Sequence, residues 1–177
     1  MNIRRLDEKT LKAAIQLKVK SWQEESAGRF DEPLDDREEY DFYRHWMQSE
    51  KAHQDRRLML GVFDNEKLAA TLFASFAEVE DDPKAFEING IFVEKSYRGR
   101  QLSLVLIREA LIFYQALNKQ NMIVYNHKYA PSNAFFHALG GRVIRQDNQL
   151  EGRLVVDVFS FDVVTLLNYI NRKLSVR

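Results

Sequence analysis

The stretch that decides the fold is S-Y-R-G-R-Q-L-S at residues 96–103, taken with the segments on its two sides. Before it, F-E-I-N-G-I-F-V (86–93) is rich in the β-branched and aromatic residues of a strand. After it, L-V-L-I-R-E-A-L-I-F-Y-Q-A-L (104–117) is apolar on most faces, which is typical of a helix covered on several sides. Two arginines and a glycine therefore lie in a tight corner between a strand and a buried helix.

Such a corner is suited to a phosphate group. The first turn of a helix leaves backbone N–H groups without partners and carries partial positive charge. A tight turn aims these groups at one point. Gly99 lets the backbone approach a ligand closely, and Arg98 and Arg100 add charge beside it. The same residues also suit a plain turn with two solvated arginines, so the local pattern leaves both interpretations open.

The rest of the chain mixes strand and helix patterns with turn residues between them. Gly28 and Pro33 mark a loop, and the polar run 147–152 marks a turn. No repeat, low-complexity tract or linker interrupts the sequence, so it predicts one α/β domain over residues 1–177. Two of the predicted strands flank a turn at Asp64-Asn65, and the others cover 2–6, 85–93, 122–126, 142–146 and 153–161. The first two predicted helices begin at Asp7 and at Asp35 or Asp36. The other three cover 101–117, 132–139 and 163–174.

The charge balance limits the kinds of partner. Lysine and arginine together number 26, as do aspartate and glutamate, so the formal net charge is zero. General nucleic-acid binding needs a basic face that neutralises phosphates. We therefore expect no nucleic-acid partner, although a small local site for a phosphorylated ligand stays possible.

Residue types and apolar runs limit the chemistry and the location. The chain has no cysteine, which excludes disulfides, thiolate metal sites and cysteine nucleophiles. Its four histidines show no metal-ligand spacing on a shared helix face, so we expect no metal. The first residues lack the apolar core of a signal peptide, and no apolar run approaches the roughly 20 residues of a membrane span. The sequence predicts a cytoplasmic protein without a membrane partner.

Three segments share a pattern with one known superfamily. They are E-I-N-G-I-F-V-E-K-S-Y-R-G-R-Q-L-S-L-V-L-I (87–107), P-S-N-A-F-F-H-A-L-G-G (131–141) and S-W-Q-E-E-S-A-G (21–28). The first resembles the acyl-CoA-binding segment of the GNAT superfamily of N-acyltransferases, the second its other signature, and the third the start of many members. The resemblance implies an α/β fold with a mixed, mostly antiparallel central sheet of six to seven strands, flanked by helices and splayed at the acyl-CoA site.

The resemblance also implies an activity: transfer of acetyl from acetyl-CoA, as co-substrate, to a primary amine of a small-molecule or peptide acceptor by direct attack. In that family the amides of the corner hold the pyrophosphate of coenzyme A. The preceding strand, here ending at 91–93, binds the pantetheine arm beside the next strand, here 122–126. The positions carried over as cofactor-binding are Ile91, Phe92, Val93, Arg98, Gly99, Arg100, Gln101, Leu102, Ser103, Ser132, Phe135 and Phe136.

The chain departs from the family pattern at the corner and in the second signature. Gln101 stands where the first motif glycine is expected, and Ser103 where glycine or alanine is usual. A side chain at Gln101 leaves the amides open if that residue is already in the first helical turn. The Ser103 hydroxyl could donate to a phosphate oxygen. The family's asparagine in the second signature is absent, because Tyr129 and Ala130 occupy the matching positions.

Acyl transfer to an amine depends more on a base than on an acid. Deprotonating an amine of pKa about 10.4 at pH 7 costs roughly 4 to 5 kcal/mol, whereas protonating a thiolate of pKa about 8.5 is worth roughly 2 kcal/mol. Alternation places Glu87, Asn89, Ile91 and Val93 on one strand face. Because the family often has a glutamate there, Glu87 is our candidate base, with Asn126 as a second catalytic candidate that positions water or acceptor.

The candidates for an acid are weaker. Phe136 stands where the family often has a tyrosine that protonates the thiolate, and a phenyl ring has no proton to give. Tyr125 or Tyr129 could replace it, and His127 or His137 could act as a base, although a surface or core role is the simpler interpretation for each histidine.

Other features have structural interpretations that we prefer to functional ones. We expect the acidic residues Glu78, Glu80, Asp81 and Asp82 to form a solvated hairpin tip rather than to attract a cationic amine. We expect the aromatic residues Trp22, Phe30, Tyr40, Tyr43 and Trp46 to be half-buried helix packing rather than an acceptor cover. The apolar residues of the last helix either close the core or form the face of a possible homodimer; they are Leu166, Leu167, Tyr169 and Ile170.

Two other functions remain as alternatives to an acetyltransferase. The departures at Gln101, Phe136 and the missing asparagine are also compatible with a non-catalytic acyl-CoA-binding or regulatory protein on the same fold. A protein-interaction module with a vestigial site would not bind coenzyme A at all.

Overall fold

The structure is a computed structural model that describes residues 1–27 and 33–176. The predicted loop residue Gly28 and the aromatic residue Phe30 lie outside the described residues. The described part of the chain forms seven strands and five α-helices. The strands are β1 (Asn2–Arg5), β2 (Leu58–Asp64), β3 (Lys67–Phe76), β4 (Ala85–Val93), β5 (Asn121–His127), β6 (Arg142–Gln149) and β7 (Leu154–Asp162), and the helices are α1 (Glu8–Ser26), α2 (Asp36–Gln48), α3 (Leu102–Gln115), α4 (Pro131–Ala138) and α5 (Val163–Ser175).

The strands form a mixed, mostly antiparallel sheet in the order β1-β2-β3-β4-β5-β7-β6. β4 and β5 pair in parallel, with Ala85 opposite Asn121 and Ile88 opposite Val124. The pairs β1–β2, β2–β3, β5–β7 and β6–β7 are antiparallel. The predicted fold class of a mostly antiparallel sheet with flanking helices is confirmed, with seven strands.

The chain divides into two compact units, and the first comprises Met1–Ser75 and Gly90–Ile107. It contains β1, β2, β3, α1 and α2. Asp7 accepts a hydrogen bond from the backbone of Thr10 at the start of α1, and Asp35 accepts from the first turn of α2, so both predicted helix starts are confirmed, with Asp35 as the cap of α2. One apolar cluster joins α1 to β2 and β3 through fully buried residues such as Leu11 and Phe73. Tyr40 and Trp46 of α2 pack on this cluster and Tyr43 belongs to it, in agreement with the packing role that we expected from the sequence.

The second unit comprises Phe76–Asn89 and Arg108–Arg177. Here the ring of Phe86 on β4 stacks on Tyr114 of α3, with 4.3 Å between ring centroids. Helix α4 packs on β7 through Phe136 and Phe159. In α5, Leu166 and Ile170 are buried, so these two residues belong to the core rather than to an exposed face.

One predicted turn is wrong. The polar run 147–152 was expected to be a turn, but β6 continues to Gln149 and pairs with Leu154 of β7. The true connection is the short 3₁₀ turn Leu150–Gly152. β6 lies at the edge of the sheet, where most of its side chains are exposed, so its polar composition is compatible with a strand.

Candidate functional site

The corner between β4 and α3 is a short, tightly bonded loop. After Val93, a 3₁₀ turn covers Lys95–Tyr97, and the backbone N–H of Tyr97 donates to the Glu94 carbonyl at 2.8 Å. Gly99 then has φ +78° and Gln101 has φ +61°. The N–H of Val105 donates to the Gln101 carbonyl at 3.1 Å, which begins the hydrogen bonding of α3. Two left-handed residues thus bring the chain from a strand into a helix within a few residues.

The expectation that Gln101 belongs to the first turn of the helix is wrong. Its positive φ places it just before α3, which begins at Leu102. The left-handed region costs an L-residue roughly 1–2 kcal/mol and glycine almost nothing. This conformation explains why a glycine is expected here. Gln101 adopts it despite its side chain.

The loop is anchored on strands β2 and β3. The buried Tyr97 donates from its hydroxyl to Asp64 at 3.0 Å, and this hydrogen bond raises the pKa of Tyr97. The backbone N–H of Glu94 donates to the Ala69 carbonyl at 2.9 Å. These contacts fix the part of the corner that follows β4, and thereby limit the positions that its tip at Gly99 can take.

The two arginines of the corner have different surroundings. Arg98 donates from Nε to the Val93 carbonyl at 3.2 Å and from Nη2 to Glu24 of α1 at 2.7 Å. Arg100 is exposed and lies over the Tyr97 ring, with 5.0 Å from its guanidinium carbon to the ring centroid. Arg100 is therefore the more available cation for a ligand at the tip, while Arg98 is held by protein groups.

The other cofactor-binding candidates of this unit lie on the elements that border the corner. Leu102 is buried and Ser103 half-buried in the first turn of α3. Residues 91–93 are half-buried at the end of β4. The ring of Phe92 packs on Phe73 at 6.3 Å between centroids, so its side chain belongs to the core and its backbone remains as a ligand contact. The structure thus brings 91–93 and 98–103 together in the first unit.

The candidate base Glu87 lies in the second unit, on β4. It is half-buried, stands opposite Ile123 of β5, and accepts a hydrogen bond from Nδ2 of Asn89 at 3.1 Å. The predicted alternation of Glu87 and Asn89 on one strand face agrees with this contact.

The sequence did not predict a hydrogen-bond network around Tyr125 of β5, two residues beyond Ile123, which stands opposite Glu87. The hydroxyl of Tyr125 donates to Asp81, and Arg145 of β6 donates to Asp81 at 2.7 Å and to the Tyr125 oxygen at 2.6 Å. Arg145 also bonds Asp147. The side chain of Asp81 is only 4% exposed.

This network corrects one expectation and bears on another. The expectation that Asp81 belongs to a solvated hairpin tip is wrong, because Asp81 is buried beneath Arg145 and Tyr125. Burial and the hydrogen bond to Asp81 raise the pKa of Tyr125 well above its ordinary value. A phenol that already donates its proton to a buried carboxylate is a poor acid for a thiolate.

Asn126 and Ser132 come together at the end of β5. Ser132, in the first turn of α4, donates from its hydroxyl to Oδ1 of Asn126 at 3.2 Å, and Asn126 donates from Nδ2 to the His127 carbonyl at 3.2 Å. The amide of Asn126 is therefore oriented by its neighbours. Nearby, buried Asn133 donates to Asp157 at 2.9 Å and to the Lys128 carbonyl at 2.8 Å, which ties the β5–α4 turn to β7.

The remaining candidates of the second unit are aromatic. Phe136 is 2% exposed, and its ring packs against Phe159 and Phe161. Phe135 is half-buried and contacts the edge of the Phe136 ring. Tyr129, in the place of the missing asparagine, is 62% exposed.

Among residues 1–27 and 33–176, no group of three or more histidine, aspartate or glutamate side chains could hold a metal ion. Within the same ranges, no helix has both the length and the apolar character that crossing a membrane requires.

Comparison with known proteins places this geometry in a family. The model of the acetyltransferase (GNAT) family matches residues 17–140, which include the second half of α1, the corner and α4. The chain belongs to this family. The resemblance inferred from the corner and the second signature is thereby confirmed. No curated protein matches the chain in sequence.

Solved structures of other GNAT proteins share the fold at low sequence identity. The PaiA N-acetyltransferase from Thermoplasma acidophilum, in complex with coenzyme A, is 18% identical, with 91% of this chain and 98% of that chain covered and a TM-score of 0.72. YncA from Salmonella typhimurium, with acetyl-CoA, is 18% identical, with 92% and 93% covered and a TM-score of 0.67. An N-acetyltransferase from Staphylococcus aureus Mu50 is 12% identical, with 92% and 98% covered and a TM-score of 0.71.

Proposed function

We propose that this GNAT protein is an N-acetyltransferase that moves an acetyl group from acetyl-CoA to a primary amine of a small molecule or peptide by direct attack. The observation that carries the proposal is the corner at Gly99 and Gln101, where two left-handed residues lead into the N-terminus of α3. Two solved GNAT structures with the same fold contain coenzyme A or acetyl-CoA, which supports the choice of co-substrate.

The corner would hold the pyrophosphate of acetyl-CoA. The backbone N–H groups at the start of α3 have no partners within the helix, and the helix dipole favours negative charge there. Arg100 adds a cation at the tip, and the Ser103 hydroxyl adds a donor in the first turn. The backbone of residues 91–93 would hydrogen-bond the pantetheine arm.

The reaction needs a neutral amine and a stabilised oxyanion. Glu87 would take the proton of the amine, directly or through a water that Asn126 orients. The amine nitrogen then forms a bond to the thioester carbonyl carbon, and the backbone N–H near Phe92 or Val93 stabilises the oxyanion. The carbon–sulfur bond breaks as the carbonyl re-forms, coenzyme A leaves as a thiolate, and the nitrogen of the new amide loses its second proton to solvent.

The thiolate would leave without an acid from the protein. Phe136 has no proton to give, and the Tyr125 proton is bonded to Asp81. A thiol of pKa about 8.5 is already a fair leaving group, so protonation by solvent costs little in rate. We expect activity that depends strongly on the base and weakly on any acid.

The first experiment is a calorimetric titration with acetyl-CoA on the wild type and on Gly99→Glu. We expect micromolar binding by the wild type and at least a tenfold loss in the variant, because a carboxylate at the tip repels the pyrophosphate. The matched control is Gly152→Glu. Both glycines have positive φ, +78° and +86°, and neither substituted Cβ would meet an atom within 4 Å. The control carries the same strain and charge in the β6–β7 turn and should bind normally.

The second experiment measures turnover by thiol release with a panel of primary amines, for the wild type and Glu87→Gln. We expect kcat to fall at least a hundredfold in the variant while acetyl-CoA binding changes less than twofold, because general base catalysis is typically worth 10²–10⁴-fold. Unchanged turnover would remove Glu87 from the mechanism.

A non-catalytic acyl-CoA-binding protein is the second candidate function. The observation that favours it is the buried phenyl ring of Phe136, which stands where the family often has a catalytic tyrosine. Acetyl-CoA binding that Gly99→Glu abolishes, together with no thiol release for any amine class, would support this candidate. No binding by the wild type would overturn both.

A further inference from the structure

Helix α1 bears two oppositely charged residues that both contact the corner. Lys20 donates from Nζ to both carboxylate oxygens of Glu94, at 3.0 and 3.1 Å. Glu24 accepts from Nη2 of Arg98 at 2.7 Å. Lys20 and Glu24 are four residues apart and therefore lie on one helix face, one turn from each other. We call these two ion pairs the α1 clasp.

The partners of the α1 clasp are the two ends of the 3₁₀ turn in the corner. Glu94 directly follows β4, and its side chain accepts from the backbone N–H of Lys95, which caps this turn. The hydrogen bond from Lys20 lowers the pKa of Glu94, so Glu94 is the charged partner that the cap and the clasp need. Arg98 closes the turn and donates to the Val93 carbonyl. The α1 clasp therefore contacts both ends of the 3₁₀ turn, just before the left-handed residues Gly99 and Gln101.

We propose that Lys20 and Glu24 are positioning residues that hold the corner in the shape that binds the pyrophosphate of acetyl-CoA. This inference rests on the proposed function. Strands β2 and β3 anchor the corner on one side, through Asp64 and Ala69, and the α1 clasp anchors it from a helix. Arg98 then contributes to the site by holding the turn in place, because Glu24 and Val93 already accept from two of the five N–H donors of its guanidinium.

Positioning and simple electrostatics predict opposite results when the acids are neutralised. If Glu24 and Glu94 affected the site only through their charge, then removing a carboxylate beside a pyrophosphate would tighten binding. If they hold the loop, removing the charge loosens the corner and weakens binding. At an ionic strength of about 0.15 M the screening length is about 8 Å, which limits the purely electrostatic effect.

The test is a calorimetric titration of acetyl-CoA against Glu24→Gln and Glu94→Gln at that ionic strength. The clasp side chains are 22% to 52% exposed, and ion pairs at such exposure contribute modestly, so we expect Kd to rise about 1.5- to fivefold in each variant. The matched control is Glu66→Gln, which breaks the Arg4–Glu66 ion pair of the same unit at 3.3 Å without touching the corner. Its Kd should stay within measurement error of the wild type.

A double-mutant cycle separates the Lys20–Glu94 contact from the individual charges, and both of its variants keep a side-chain oxygen at position 94 for the cap of the 3₁₀ turn. Lys20→Gln and Glu94→Gln should each raise Kd. Because both break the same ion pair, the double variant should bind no more weakly than the weaker single variant. Fully additive losses, with thermal midpoints equal to that of the wild type, would overturn the inference.

The outcomes distinguish this inference from the proposed function. Wild-type protein that binds no acetyl-CoA contradicts the proposed function itself. Wild-type protein that binds, with Glu24→Gln and Glu94→Gln binding equally well or more tightly, leaves the proposed function intact and overturns the positioning role.

Discussion

Gln101 holds the least favourable backbone conformation of the corner, with φ +61°. A left-handed conformation costs an L-residue roughly 1–2 kcal/mol, and glycine avoids this cost. Because glycine also has more conformational entropy in the unfolded chain, part of the gain in stability is lost. We predict that Gln101→Gly raises the free energy of unfolding by about 0.5–1 kcal/mol in urea denaturation. The matched control is Ser103→Gly, inside α3, which should lower it by about 0.5 kcal/mol. Destabilisation by both glycines would mean that the Gln101 side chain makes contacts that offset the strain.

At the scale of single residues, the sequence predicted what depends on local chemistry. Gly99 was assigned to a tight turn because it lies between a strand pattern and a helix pattern, and its positive φ agrees. The conformation of Gln101 was not predictable, since nothing in its residue type favours the left-handed region. The burial of Asp81 was not predictable either, because its partner Arg145 is 64 residues away and the contact depends on the folded sheet.

The Tyr125–Asp81–Arg145 network acts at the scale of elements, since it ties the loop before β4 to β5 and β6. Tyr125→Phe leaves the buried Asp81 carboxylate without one donor. We predict that it lowers the free energy of unfolding at pH 7 by about 1–3 kcal/mol. Urea denaturation measures this value. The matched control is Tyr169→Phe on α5, which should change it by less than 0.5 kcal/mol, as is usual for surface substitutions.

The same network predicts a dependence on alkaline pH. Burial and the bond to Asp81 raise the pKa of Tyr125 above its ordinary value of 10.0. The unfolded chain therefore loses this proton first, so the stabilisation is complete below pH 10 and is lost as the pH rises from 10 toward the folded-state pKa. Urea midpoints measured from pH 9 to 11 should fall more steeply in the wild type than in Tyr125→Phe. Parallel slopes would mean that the phenol is not held protonated by the fold.

Elements were predicted well where pattern and caps agree. The strand 85–93 and the helix starts at Asp7 and at Asp35 or Asp36 were predicted where the structure has them. β6 was predicted too short because alternation is the signal for a strand with one buried face, and an edge strand exposed on both faces lacks it. Glu87 was recognisable as a candidate from alternation and family, but its contact with Asn89 had to be observed.

At the scale of the whole molecule, the sequence predicts one domain, while the folded chain divides into two compact units. Strand β4 and helix α3 each continue across the boundary, at Asn89–Gly90 and Ile107–Arg108. A strand or helix cannot easily melt in one half only, so we predict a single cooperative transition with equal calorimetric and van't Hoff enthalpies.

Acetyl-CoA provides the decisive test of this cooperativity, because its proposed pyrophosphate corner lies wholly in the first unit. A ligand at 100 times its Kd stabilises the state that binds it by about 2.7 kcal/mol. If the units unfold together, scanning calorimetry should show one peak that moves upward as a whole when acetyl-CoA is added. If they unfold separately, two peaks should appear and only one should move. The second result would contradict the single-domain prediction and would assign the binding corner to a unit that is stable by itself.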